Sequence, residues 1–232
     1  MLPISDENPT RRLAWLTWIL IATNLAVFAL EVWRSGSILS PAGTQTMHDI
    51  FQRFGLIPAR LLGGSGNFPG WLSGAGLLPL MTSPFLHASL MHLLGNMLYL
   101  WIFGDNIEDS MGHSRFLVFY FVCATVAALS QTFAYPQSTA PMIGASGAVS
   151  GVLGAYWVRY PRAKVLVLFY FFIFARVVRV PAVILLGLWF FVQLVLAANG
   201  GGDVAWHAHL GGFVSGALLL HLFLPARGMR RC

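Results

Sequence analysis

Between residues 13 and 224 the chain is divided into apolar runs of about 20 residues, and these runs limit what it can become. Hydrocarbon offers a backbone N–H or C=O no partner, so a run of that length within a membrane must be helical or belong to a closed barrel. The apolar residues do not alternate with polar ones, which leaves helices. Six runs read as spans, at 13–32, 83–103, 116–135, 142–160, 181–198 and 205–224. Composition agrees: 57% of residues are hydrophobic and 9% are charged, against about 25% charged in soluble domains. The expected fold class is an all-α membrane protein.

Around the spans, residues 1–12 form a polar cytoplasmic lead ending in Arg11-Arg12, residues 13–224 one membrane domain, and residues 225–232 a basic cytoplasmic tail. The segment 33–81 is too rich in Gly, Pro and Ser for a span. Its shorter apolar pieces, 51–62 and 71–80, are expected to lie in or dip into the interface. The aromatic stretch 169–174, with basic residues on both sides, is expected to be interfacial. Six spans place both termini on one side, with Arg11, Arg12, Arg115, Arg159, Arg162, Lys164, Arg176, Arg179 and the tail arginines. The other side has Arg34, Arg53 and Arg60. By the positive-inside rule the arginine-rich side is cytoplasmic. The net charge of +6 is thereby spent on topology, and a nucleic-acid partner is not expected. Cys123 and Cys232 do not make a disulfide framework. The first run is too long for a signal peptide, and a bacterial inner membrane is the expected compartment.

Polar groups inside such runs are expensive and raise functional hypotheses. Ser146 stands in Gly144-Ala145-Ser146-Gly147, about four residues into the fourth run, and His209 lies equally far into the sixth. At roughly 1.5 Å per residue both sit about 6 Å below the outer boundary. Gly212 and Gly216 follow His209 at i+3 and i+7, while Gly147, Gly151 and Gly154 make a matching stripe beside Ser146. Such small-residue stripes let backbones approach closely. That approach would bring Ser146 Oγ within reach of His209, the pairing of nucleophile and base that covalent catalysis needs. Helix packing alone would also explain the glycines, and His209 read alone could be a satisfied polar residue at a helix end. In the second run His92 and Asn96 share a face at i and i+4 and could both donate toward a tetrahedral oxyanion. They lie deeper by count, about nine and thirteen residues in, so a tilt or a later helix start is needed to level them with Ser146. Interhelical hydrogen bonding and metal ligation compete for these residues, but no His-Glu-x-x-His occurs. His207 is expected to point elsewhere, and His48, His113 and His221 are read as structural.

With these residues in place the chain resembles the rhomboid family of intramembrane serine proteases. The resemblance rests on His87, His92 and Asn96 in His-Ala-Ser-Leu-Met-His-Leu-Leu-Gly-Asn, on Gly104, Glu108 and Gly112, on Gly144-Ala-Ser146-Gly147, and on Ala208-His209-Leu-Gly-Gly212 with Gly216. It implies a six-transmembrane-helix rhomboid-like bundle with a membrane-associated first loop. Ser146 would be the nucleophile and His209 the general base, a dyad without an acidic third member. His92, Asn96 and the Ser146 backbone N–H would form the oxyanion hole, and His87, Gly144, Gly147, Gly212 and Gly216 would support it. Glu108 and Gly112 would shape the turn after the second span. No cofactor and no metal is implied; the partners would be single-pass transmembrane substrates, entering laterally, and membrane lipid. His87 and Asn96 are expected to host water near the entrance. Two positions depart from the family's pattern: Leu78-Pro79 replaces a Trp-Arg found in many members, and Ser150 stands where some carry an aromatic stacked on the histidine. A non-catalytic relative that escorts transmembrane segments is the main rival reading. A channel or transporter is a weaker one, since no internal repeat is visible.

Overall fold

The computed structural model of the protein describes residues 2–63, 77–171, 174–200 and 204–225. Six helices of 14 to 22 residues dominate: α1 (Trp15–Ser35), α5 (Leu90–Met111), α6 (His113–Ala134), α7 (Ser146–Arg159), α8 (Ala182–Ala198) and α9 (Trp206–Phe223). Shorter helices α2 (Gln45–Phe54), α3 (Pro58–Leu61) and α4 (Leu77–Thr82) lie in the connection between α1 and α5. The apolar runs form helices, and among the described residues α1 and α6 are by themselves long and apolar enough to cross a membrane. A third qualifies if Leu77–Phe85 and Leu90–Met111, bent by 91°, count as one span. The bundle turns apolar side chains outward: Trp33, Phe133, Leu218 and Leu222 are each at least 69% exposed. In water such a surface would be a liability; against lipid tails it is the expected one.

The protein is mostly helical but not all-α. Strands β1 (Leu2–Asp6), β2 (Lys164–Phe171) and β3 (Phe174–Pro181) form an antiparallel sheet in the order β1-β2-β3. The polar lead is therefore partly a strand, and the aromatic stretch belongs to a hairpin. Val165 and Val167 are fully buried on one face of β2, the period of two that a half-buried strand requires. Asp6 ties the sheet to the bundle, accepting hydrogen bonds from Tyr156 Oη on α7 and from Asn106 Nδ2 on α5 (3.1 Å).

Helix α7 is the hub, with every residue from Ala148 to Tyr156 buried. Its glycines permit direct backbone contact with α9. A Cβ on Gly212 would stand 2.2 Å from Gly147 O, one on Gly216 1.8 Å from Gly151 O, and one on Gly154 2.0 Å from Phe213 O. On its other side a Cβ on Gly147 would meet Ala127 Cβ of α6 at 2.7 Å, and one on Gly151 would meet Cys123 Cβ at 2.4 Å. Alanine at any of these positions would drive the helices apart.

The ends of the bundle differ. Glu108, near the end of α5, reaches the start of α1, which has no side-chain cap of its own. Its carboxylate accepts from Leu16 N (3.0 Å), Thr17 N (2.7 Å) and Thr17 Oγ1 (2.6 Å), and it pairs with His113. Helix-terminal N–H groups left over by the α-helical pattern are thereby satisfied by a negative charge, which the helix dipole favours. Gly112, at φ +82°, makes the tight passage from α5 to α6. At the opposite end the connection between α1 and α5 is held without Trp-Arg at 78–79. Leu56 and Met142 exchange backbone hydrogen bonds (3.0 and 2.7 Å), Ala59 N donates to Ser138 O (3.0 Å), and Thr82 Oγ1 to Phe54 O (2.7 Å). Leu78 itself is exposed. Residues 71–76 of the expected interfacial piece, the glycines 201 and 202 and residues 226–232 of the tail lie outside the described residues.

Candidate active site

The second and fourth runs start as helices later than their hydropathy suggests. Pro84 sits in a 3-10 turn, Ser83–Phe85, and α5 begins only at Leu90, where Ser89 Oγ accepts from His92 N (3.2 Å) as an N-cap. Residues 142–145 are likewise outside the helix, and Ser146 is the first residue of α7. His92 is then the third residue of α5 and His209 the fourth of α9. The expected depth mismatch disappears for His92, while Asn96, the seventh residue of α5, lies about one turn deeper.

These starts surround a cavity of about 790 Å³ whose lining includes Ser146, His209, His92, Asn96 and Gln193. Gly144 stands beside this lining, between Ile143 and Ser146 in the chain. Its N–H donates to Ser83 O (2.9 Å), and its φ of +113° is one that other L-residues rarely adopt. The space left by its missing side chain is filled by the His92 ring: a Cβ there would lie 2.6 Å from Cε1, 2.7 Å from Nε2 and 3.6 Å from Asn96 Nδ2. His92 and Asn96 therefore converge on the backbone two residues before Ser146. The Ser146 N–H belongs to the first turn of α7, whose N–H groups find no acceptor within the helix.

Asn96 is held from behind. Its Nδ2 donates to His87 Nε2 (3.0 Å), His87 Nδ1 donates to Phe85 O (3.3 Å), and His87 N donates to the Glu31 carboxylate (3.1 and 3.3 Å). His87 is fully buried and does not line the cavity, so it is not the water host expected near the entrance. It buttresses Asn96. No motif or spacing in the sequence points to Glu31, although it is the sole charged residue in the run 13–32.

Ser146 directly precedes Gly147 and His209 lies one turn before Gly212, so both flank the Gly147–Gly212 contact and face the same cavity, and among the described residues no hydrogen bond joins them. His209 is instead held from α8 and from its own helix. Its Nδ1 is 2.8 Å from Gln193 Oε1, and its ring lies 5.7 Å from that of Trp206, edge-on, and 6.1 Å from that of Trp189. Ser150 plays no part in this, since its Oγ donates to Ser146 O (2.6 Å). His207 does not point away as expected: it lines the cavity, its ring edge-on to Tyr135 at 5.4 Å. Among the described residues no three His, Cys, Asp or Glu side chains gather to hold a metal ion.

Comparison with known proteins agrees with the arrangement of motifs. The family model for the Rhomboid domain matches residues 75–226, well over half of the chain. The chain belongs to the rhomboid family. Its similarity to Rhomboid protein 1, mitochondrial, of Saccharomyces cerevisiae is 33% identity over 152 residues, covering 61% of this chain and 40% of the yeast protein. The human Presenilin-associated rhomboid-like protein, mitochondrial, is 31% identical over 96 residues, covering 39% and 24% of the two chains. The zebrafish (Danio rerio) Presenilin-associated rhomboid-like protein A, mitochondrial, is 33% identical over 90 residues, covering 38% and 23%. This rhomboid chain thus spans less than half the length of these relatives, and it is an integral membrane protein by family and by its apolar helices.

Proposed function

We propose that this rhomboid is an intramembrane serine endopeptidase that cuts transmembrane segments of membrane-anchored proteins near the outer face. The observation that carries the reading is the convergence of Ser146, His209, His92 and Asn96 on one cavity at a single end of the bundle. In this mechanism His209 Nε2 removes the Ser146 Oγ proton as Oγ bonds to the scissile carbonyl carbon. The oxygen that becomes negative is met by the Ser146 N–H, the Asn96 amide and the His92 ring edge facing Gly144. Collapse breaks the C–N bond, with His209 returning its proton to the leaving amine. Water from the cavity then attacks the acyl-enzyme, and the same base restores Ser146. The Ser146–His209 hydrogen bond closes as substrate binds, as catalytic contacts of this kind commonly do.

The proposal includes six spans in alternating directions, with the first loop resting in the membrane. The sheet end carries Arg11, Arg12, Arg115, Arg159, Arg162, Lys164, Arg176 and Arg179, and the cavity end Arg34, Arg53 and Arg60. The positive-inside rule makes the sheet end cytoplasmic and opens the cavity outward. The relatives carry mitochondrial names and lend no support to a bacterial inner membrane. The test is cleavage of a single-pass substrate in liposomes by wild type, Ser146→Ala and His209→Ala. Cleavage by wild type alone is expected. Equal cleavage by all three would remove the dyad, and binding of substrate without cleavage by wild type would favour the escort reading.

A further inference from the structure

Helix α8 is the most apolar of the long helices, and Gln193 is the one strongly polar side chain in the run 181–198. It is buried, and its carbonyl oxygen is spent on His209 Nδ1 at 2.8 Å. One turn earlier on the same face, Trp189 sets its ring 6.1 Å from the imidazole, inclined by 36°. Trp206 closes a third side, 5.7 Å away and nearly perpendicular. A neutral imidazole has one N–H, and the partner of one nitrogen decides the state of the other. A carbonyl acceptor at Nδ1 places the proton there and leaves the Nε2 lone pair free.

We infer that Gln193 is the positioning residue for His209, an uncharged third member that fixes the ring's orientation and its Nδ1–H tautomer so that Nε2 can act as base toward Ser146. The inference rests on the protease reading above. An amide suits the position: it accepts the hydrogen bond without placing an unpaired carboxylate in an apolar helix, where a charge is costly. No proton passes to Gln193; the imidazolium formed during attack keeps its Nδ1–H on Oε1, and the proton taken from Ser146 stays on Nε2. Trp189 and Trp206 limit rotation of the ring, which a single hydrogen bond would not do alone.

The experiment is the rate of covalent labelling of Ser146 by a fluorophosphonate in purified full-length protein, which needs no knowledge of the substrate. Wild type is compared with Gln193→Leu, Gln193→Glu and Ser146→Ala. Gln193→Leu is expected to lower the maximal labelling rate by about 100-fold, the low end of what a general base supplies, with the half-saturating probe concentration unchanged. Gln193→Glu offers an acceptor in either protonation state and is expected to recover most of that loss. A merely structural glutamine would lower the melting temperature and leave the maximal labelling rate of the folded fraction alone. Labelling of Gln193→Leu at the wild-type rate would overturn the inference and leave the dyad standing. No labelling of wild-type Ser146 would instead overturn the protease reading beneath it. Should Gln193→Leu fail to fold, ¹⁵N-histidine spectra of the unaltered protein decide, with His209→Ala supplying the assignment. The Nδ1–H tautomer is expected, and a dominant Nε2–H tautomer would overturn the inference.

Discussion

Gly144 concentrates the demands of the site in one residue. It takes a positive φ, donates to Ser83 O, and leaves the space that the His92 ring occupies. An added methyl group would meet both the strain of that φ and the ring edge less than 3 Å away. We expect Gly144→Ala to cost about 1–3 kcal/mol of stability, the usual range for such backbone strain. Activity should fall further, by about 100-fold or more, because His92, the proposed oxyanion donor, is displaced. Thermal melts beside cleavage rates check this, and a variant that melts early but cuts normally per folded molecule would contradict it. At this scale spacing and motifs point to Ser146, His209, His92 and Asn96, and the structure brings these four to one cavity. Glu31 and Gln193 are not marked in this way, although Glu31 is the sole charged residue in the run 13–32 and Gln193 the one strongly polar residue in 181–198. Their roles depend on what faces them from another helix, Glu31 on His87 N and Gln193 on His209. Spacing within one run does not carry that information.

Among the elements, helices were easier to foresee than their starts, and strands were missed. Hydropathy marked where apolar residues begin, whereas Pro84 and Ser89 decide where α5 begins. Residues 165–171 are apolar throughout, with no polar alternation to mark a strand, and the aromatic stretch 169–174 with basic residues on both sides points to an interfacial segment. The sheet's attachment has a titration signature. Burial raises the Asp6 carboxyl above its ordinary 3.8, with the Tyr156 hydrogen bond opposing that shift. The folded state then holds this proton more tightly than the unfolded chain, so the group's contribution to stability declines as pH rises from about 4 through the raised value. Asp6→Asn keeps an acceptor for Tyr156 and Asn106 and removes the titration. The wild-type melting temperature minus that of Asp6→Asn should therefore fall with rising pH across this window. A difference that is flat, or that grows, would contradict the attachment described.

Across the whole molecule, a sheet and arginine-rich end is separated from a cavity end by a bundle whose centre, α7, is hidden by its neighbours. This polarity gives the glycine contacts their purpose in the account: they hold α7 and α9 so close that Ser146 and His209 share one cavity wall. The apolar runs point to the helical bundle, and the three motif groups to the residues that its cavity end gathers. What they could not supply was the support around the histidine, since Trp189, Gln193 and Trp206 have meaning only once α8 stands against α9. The central claim, that Ser146 is a nucleophile activated by His209, is tested most directly by mapping the adduct of a fluorophosphonate on the intact protein by mass spectrometry. The account predicts one adduct, on Ser146, that His209→Ala abolishes. An adduct on another residue, or an undiminished adduct in His209→Ala, would contradict it.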